Sequence, residues 1–532
     1  MAPISQCPSA VATRSLVRHR SGTIRTLAPR RFFSITKKDV SHKPRVVILG
    51  SGWAGYGFAR TLDPAKYERI VISPRSYFVF TPLLASTSVG TLEFRTILEP
   101  VRRLPGKIGF YQGWADDIDF DRKVVRVETN ATEEAASKTV VPGPDEKPKP
   151  KGDLIDIPYD KLVIACGAYS QTFGIPGVRE HAHFLRDIGD ARRIRLRVLS
   201  LFEQCAYPRG AGHLTNADKA QLLHFAVVGG GPTGIEFAAE LHDLIRDDLA
   251  PMYPDLMPLV RITVYDVAPK VLPMFDQALA KYAMDTFARH GIEVKTEHHL
   301  ERIRLADGPL GLKHGAVKIK IREYGDNEVG AGLVVWSTGL MANPLVAKLA
   351  ARSHGARPLG PNPLTGAPTP PARRLVRDPR TGGLVTDPFL RARTTTDLES
   401  ADPKPDGMLD DVFVIGDCAV IESDRALPKT AQVASQQATY LAKRLNKSIS
   451  NGGEVVTAED DKPFKFRNWG TLTYLGSWKA IHQSKADELR GWLAWVLWRG
   501  AYLTKSMSWR NKMLVPIYWM TSWLFGRGIS RF

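Results

Sequence analysis

The chain has 532 residues, 43% hydrophobic and 24% charged, with a formal net charge of +18; this is a globular composition with room for several domains, and it excludes a disordered tail or a repeat array. The positive surplus sits at the ends: residues 1–38 hold eight Lys and Arg and no acid, and residues 462–532 hold twelve against Asp487 and Glu488, leaving Asp39–Asp461 neutral. A neutral body argues against a nucleic-acid partner, and four scattered cysteines with no C-x-x-C pair exclude a disulfide scaffold or a dithiol metal site.

In chain order, residues 1–40 come first. Arg14, Arg18, Arg20, Arg25, Arg30 and Arg31 stand among serines and threonines ahead of the first acid, Asp39, which predicts a mitochondrial presequence. Arg31-Phe32-Phe33-Ser34 resembles a matrix-processing site. Next, Val46–Leu49 is an apolar, β-branched run that predicts a buried strand, followed by Gly50, Ser51, Gly52 and Gly55 and a helical stretch. In such a turn the first glycine allows the bend, the second lets backbone approach a pyrophosphate and the third lets helix pack on strand. The helix N-terminus then offers free N–H groups to the phosphates. The following strand, Ile70–Ile72, ends in Ser73 where a ribose-binding acid is usual, and Ser73 is expected to be a weaker ribose contact. Segment 131–152 reads as a long polar insertion, expected to be mobile.

A second copy begins at Phe225–Val228, with Gly229, Gly231, Thr233 and Gly234 opening an amphipathic helix. The strand Arg261–Tyr265 then ends in Asp266, whose carboxylate can accept from both ribose hydroxyls and would repel a 2′-phosphate, pointing to NADH over NADPH. Lys270 is the one nearby cation that could blur that choice. The spacing from Gly229 to Asp266 is long for such a motif, and an extended helix through Asp255 is expected to account for it. Two dinucleotide folds in tandem imply one resident and one visiting cofactor, because a hydride needs an acceptor that protein side chains do not supply. Segment 351–382 is a second polar, Pro- and Gly-rich insertion, also expected to be mobile.

Three further segments, Tyr159–Ala168 (with Ala165 and Gly167), Val335–Gly339 (with Thr338 and Gly339) and Val412–Ala419 (with Gly416 and Asp417), resemble those of the two-dinucleotide-binding flavoprotein reductases. Within them, SPRSYFVFTPLL (Ser73–Leu84), LPKTAQVASQQATYLAKRL (Leu427–Leu445) and YLGSWKAIH (Tyr474–His482) resemble the type II, or alternative, mitochondrial NADH:quinone oxidoreductases. The resemblance implies an α/β protein with two Rossmann-like domains. The FAD-binding domain would be split over 43–220 and 346–455, an NADH-binding domain would span 221–345, and 460–532 would anchor to a membrane. It implies non-covalent FAD held by the first glycine turn and Asp417, with Thr81 and Pro82 against the flavin ring. Glu236 would sit near nicotinamide and flavin, and Gln432 and Gln436 would line the quinone entrance. Cys166 and Cys418 read as small buried hydrophobes. Metal is not expected, and the absence of an Asp-x-Asp-x-Asp-Gly loop argues against calcium regulation.

Eight of the eleven tryptophans follow residue 462, beside lysines and arginines, as suits the headgroup boundary of a bilayer. The apolar stretches Gly491–Trp498 and Leu514–Phe525 are too short to span roughly 30 Å of hydrocarbon, and Pro516 is expected to break the second. The segment is therefore expected to lie on the inner mitochondrial membrane, on a face the residues do not identify; the same tryptophans would suit a homodimer interface. The expected activity is NADH:ubiquinone oxidoreduction without proton pumping, by hydride transfer to FAD and then two-electron reduction of quinone. Two other readings stay open: another flavin reductase, such as a sulfide:quinone oxidoreductase, and an apoptosis-inducing-factor-like binding protein. The complete second nucleotide fold argues against the first, and the neutral body against the second.

Overall fold

Strand β1 (Arg45–Leu49) is apolar and buried on both faces from Val46 to Leu49, the pattern of a parallel sheet covered on each side. In the computed structural model, which describes residues 43–129, 152–207, 214–355, 371–450, 462–484 and 488–530, it is central to the first sheet. Strands β2 (Glu68–Ser73), β3 (Gly109–Gln112) and β4 (Lys161–Ile164) join it, all parallel, in the order β4-β1-β2-β3. The second sheet, also parallel, comprises β5 (His183–Phe184), β6 (His224–Val228), β7 (Arg261–Tyr265), β8 (Ile292–Lys295) and β9 (Leu333–Trp336), ordered β5-β9-β6-β7-β8. The chain then returns to the first sheet, where β10 (Gly407–Val414) pairs in parallel with β4, Phe413 opposite Val163. The first nucleotide fold is thus completed only after the second has been made.

Helix α1 (Trp53–Thr61) follows the first glycine turn and α2 (Pro232–Leu244) the second. α3 (Ala431–Ser450) lies on α1, with Ala438 Cβ 3.4 Å from where a Cβ on Gly57 would stand. A three-stranded antiparallel sheet, β11 (Thr471–Gly476), β12 (Lys479–Gln483) and β13 (Glu488–Gly491), packs on α2 and leads into α4 (Trp492–Lys505) and α5 (Trp509–Phe525).

Three expectations need correction. The helix after the second glycine turn does not run to Asp255: it ends in one wide turn, Ile245–Leu249, with Ala250 N–H donating to Ile245 O, and Pro254 and Pro258 then impose a 3-10 segment. Residues 131–151 lie outside the described residues, as does the presequence. Segment 351–382 is not wholly irregular, because Arg373–Leu375 forms a strand antiparallel to Arg391–Thr395. Finally, Pro516 does not break α5. An interior proline costs a helix about 3 kcal/mol, and the burial of Val515 and Trp519 in the main core holds a single 17-residue helix across it. At 1.5 Å per residue that helix is roughly 26 Å long, shorter than a bilayer core of about 30 Å. Among the described residues no helix is long and apolar enough to cross a membrane.

Candidate functional site

The two glycine turns are built alike. Gly50 and Gly229 have φ of +110° and +113°, and a Cβ on either would strike the neighbouring strand end, Ala165 O or Ser337. Side chains at Gly55 and Gly234 would collide with the carbonyls of Gly50 and Gly229, so helix and turn touch directly. Around the middle glycines, Gly52 and Gly231, there is open space, and each is the N-cap of its helix without a side-chain cap. Unpaired N–H groups therefore face a gap at both turns, the arrangement that takes an anion. Thr233 lies exposed in the first turn of α2.

At the end of β7, the Asp266 carboxylate accepts from Ala268 N–H at 2.7 Å and from Gly230 N–H, so it is fixed against the second turn. Lys270 donates to Phe275 O at 3.2 Å. Thr338 and Gly339 follow β9 at the same edge of the sheet. At the first turn, Ser51 and Ser73 hydroxyls lie 2.9 Å apart, both buried, and Ser51 also donates to Tyr77 O. Ser73 thus braces the turn from behind.

The second edge of the first site comes from β4 and β10. Gly167, at φ +66°, has open space around it. Gly416 is held by Gln437, whose Oε1 accepts its N–H at 2.7 Å, and a cavity of about 250 Å³ opens beside Asp417, Pro428, Lys429 and Gln437. Burial raises the Asp417 carboxyl above the usual carboxylate range, with Arg186, 4.0 Å away, and Lys429 opposing. Sequence reasoning missed Gln437, one residue from Gln436; only its burial in the fold distinguishes it. It also missed that Cys166 and Cys418, 252 positions apart in the chain, end adjacent strands. The Cys418 thiol donates to Ile415 O at 3.3 Å, and both cysteines are free.

Between the two folds runs a wall of aromatic rings. Trp53 Nε1–H donates to Thr81 Oγ1 at 2.9 Å, and Trp53 packs on Phe80. Phe80 meets Tyr502 edge-on at 6.2 Å, Tyr502 meets Trp498 at 5.0 Å, and Trp498 Nε1–H donates to Glu236 Oε1 at 3.3 Å. Thr81, which with Pro82 opens a short 3-10 turn on the first fold, and Glu236, on the second, are therefore joined through helix α4. Glu236 is buried, and Tyr474 N–H reaches the same oxygen at 3.1 Å. Desolvation pushes its carboxyl from 4.5 up to about 8, with nearby Glu240 adding to the rise and the two N–H donors opposing it.

Gln432 and Gln436 are placed next to this region, at the start of α3, and both amides grip the main chain of residues 467–470. Gln432 receives Trp469 N–H and donates to Gly470 O; Gln436 receives Arg467 N–H and donates to Arg467 O.

Comparison with known proteins follows this layout. Residues 44–357 match the pyridine nucleotide-disulphide oxidoreductase family, and residues 469–528 match the NDH2 C-terminal domain. A probable NADH dehydrogenase of Dictyostelium discoideum is 34% identical over 93% of this chain and 92% of its own length. The mitochondrial internal alternative NAD(P)H-ubiquinone oxidoreductase A1 of Solanum tuberosum is also 34% identical, over 93% and 89%. Among solved structures, NDH2 from Plasmodium falciparum in complex with NADH aligns with a TM-score of 0.72 at 24% identity, covering 92% of this chain and all of that one. The sulfide:quinone oxidoreductase of Aquifex aeolicus aligns less well, with a TM-score of 0.58 at 17% identity over 91% and 96%.

Proposed function

Because the chain belongs to the pyridine nucleotide-disulphide oxidoreductase family and, within it, to the alternative NAD(P)H-ubiquinone oxidoreductases, we propose that it oxidises NADH and reduces ubiquinone at the mitochondrial inner membrane surface without pumping protons. The observation that carries this reading is the pair of matched glycine turns, one per nucleotide fold, joined by the aromatic wall from Thr81 to Glu236.

The first site fits FAD. It offers open space at Gly52 and Gly167, an uncapped helix N-terminus, and a cavity ending at Asp417. Gly50, Ser51, Gly52, Gly55, Ala165, Gly167, Gly416 and Asp417 would hold it, with Ser73 bracing the turn and Thr81 and Pro82 at the ring. FAD, when bound, supplies the acceptor for a hydride from NADH and the two electrons for quinone. Gly229, Gly231, Thr233, Gly234, Asp266, Thr338 and Gly339 orient NADH in the second site. The chain's own chemical contribution is at Glu236. Both of its N–H donors converge on Oε1, so Oε2 carries the proton that the carboxyl retains at neutral pH and can give to the reduced quinone. Gln432 and Gln436 shape the quinone approach by fixing residues 467–470.

Helices α4 and α5 turn an apolar stripe outward. Trp492, Leu493, Val496 and Leu497 on the first, and Trp509, Met513, Ile517, Met520 and Trp523 on the second, are exposed, while Trp498 and Trp519 face inward. Lys512 lies over Trp509. Such a face matches the headgroup boundary of a bilayer, and α4 also carries Tyr502 and Trp498, so membrane contact and site share one helix.

The nucleotide assignment is tested by Asp266→Asn, which keeps an acceptor for Ala268 N–H but removes the charge. Losing a charged hydrogen bond to ribose is expected to raise KM for NADH about tenfold and relax discrimination against NADPH. Unchanged kinetics with both cofactors would remove Asp266 from the site. The reaction itself is tested by steady-state turnover with a short-chain quinone, which NADH should support and sulfide should not.

A further inference from the structure

Glu236, Glu240 and Asp243 lie at i, i+4 and i+7 on α2, and all three are buried. Three carboxyls along one helical face, out of water, would repel one another if all were ionised. The hydrogen-bond polarity distinguishes them. Arg527, near the end of the chain, donates Nε–H to Thr91 Oγ1 at 3.0 Å. With that hydroxyl oxygen engaged as acceptor, its own hydrogen goes to Glu240 Oε2, 2.8 Å away. Ser86 Oγ–H donates to Glu240 Oε1 at 2.5 Å. Both oxygens of Glu240 are acceptors, as in an ionised carboxylate; burial raises this carboxyl above the usual range, and Arg527, Ser86 and Thr91 oppose the rise. Asp243 is ionised as well: Tyr474 O–H donates at 2.6 Å and Ser477 N–H at 3.1 Å, and its carboxyl lies below the usual range despite burial, lowered by His242, Tyr474, Arg527 and Ser477.

Arg527 is itself fastened to this helix and the turn after it. It donates to Asp243 O at 3.2 Å and to Asp248 Oδ2 at 2.6 Å, and its own N–H goes to Asp248 at 2.8 Å. From α4, Arg499 also faces Glu240, sandwiched between Trp495 and Trp519, and Tyr502 faces Glu236. From β11, Tyr474 faces Glu240 as well as Asp243.

We propose that Arg527, Thr91 and Ser86 fix a negative charge on Glu240, one helical turn behind Glu236, and that this charge reinforces burial in holding the proton on Glu236. Arg527, Thr91, Ser86 and Glu240 are positioning residues: they touch neither nucleotide turn and act through Glu236. The unit bears on turnover only if Glu236 is the proton donor proposed above.

The test is an infrared titration of the carbonyl band of protonated Glu236 in the FAD-loaded enzyme, with Glu236→Gln used to assign the band. Removing a unit charge about one helical turn away should lower the midpoint in Glu240→Gln by roughly one to two pH units. Thr91→Val and Arg527→Met, which let Glu240 take up a proton, should move it in the same direction by less, and Thr91→Ser, which restores the hydroxyl, should return it to the wild-type value. A wild-type midpoint in folded Glu240→Gln overturns the proposal. A midpoint that moves in Glu240→Gln but not in Thr91→Val or Arg527→Met overturns the part given to Thr91 and Arg527. A lowered midpoint with an unaltered alkaline limb of quinone turnover upholds the tuning by Glu240 and instead removes Glu236 from the proton's route.

Discussion

Replacing Glu236 by glutamine is expected to cut quinone turnover by about a hundredfold or more, the range that a positioned proton donor contributes, while leaving the nucleotide folds intact. The amide keeps the size of the side chain and can still accept from Tyr474 N–H and Trp498 Nε1–H, so the loss reports the missing proton and not a cavity. In the native enzyme the carboxyl, raised to about 8 by burial, should give quinone turnover an alkaline limb near that pH, and Glu236→Gln should abolish the limb. The same shift has a consequence for stability. A carboxyl whose native value exceeds its unfolded 4.5 binds its proton more tightly when folded. Relative to the ionised form, it therefore contributes stability that is fully present below pH 4.5 and is lost as pH rises to and through about 8. Glu236→Gln should consequently match the native enzyme in stability at low pH and exceed it by a few kcal/mol, on the order of 1.4 for each pH unit of the shift, above pH 8. Thermal melts at pH 5 and pH 9 check the sign: an equal gain at both would mean the native carboxyl is not raised.

The second large effect is expected at the outward face of α4 and α5. Leu493 and Ile517, one on each helix, are exposed, whereas Glu236 is buried. Changing both to glutamate removes two apolar side chains from the membrane boundary at about 2 kcal/mol each, and together they should weaken vesicle binding roughly a thousandfold. Turnover with a water-soluble quinone should persist. A double variant that stays on the membrane would refute the docking face, and one that stays bound but changes from dimer to monomer would assign the face to a second copy of the chain. Truncating the segment is a poorer test, because Trp498, Val515 and Trp519 belong to the main core and Tyr502 to the aromatic wall.

Both nucleotide folds were legible in the sequence because each depends on local features: an apolar run, glycines at fixed spacing, and a helix. The structure shows why the glycines matter, since Gly55 and Gly234 pack directly on Gly50 and Gly229. The place of Asp266, at the end of β7 against the second turn, was legible for the same reason. The C-terminal helices were legible from tryptophan and charge, but not their course, because the strength of α5 through Pro516 depends on what packs around Val515 and Trp519. Least legible was everything made between distant segments. Thr91, Glu240 and Arg527 form one hydrogen-bonded line from three parts of the chain, and no short pattern encodes it. Cys166 and Cys418 meet only because β10 returns beside β4. Gln437 was passed over for its neighbours because periodicity along α3 gives the face of a residue, not its partner. That Gln432 and Gln436 grip residues 467–470 likewise requires the fold that brings this irregular segment to the helix.

Purifying the full chain in detergent and recording its visible spectrum before and after anaerobic NADH, and then after a short-chain quinone, is the most direct test. The account predicts a yellow protein with one flavin per chain, bleached by NADH and restored by quinone. A folded protein that is colourless and cannot be reconstituted with FAD, or whose colour NADH leaves unchanged, would contradict it.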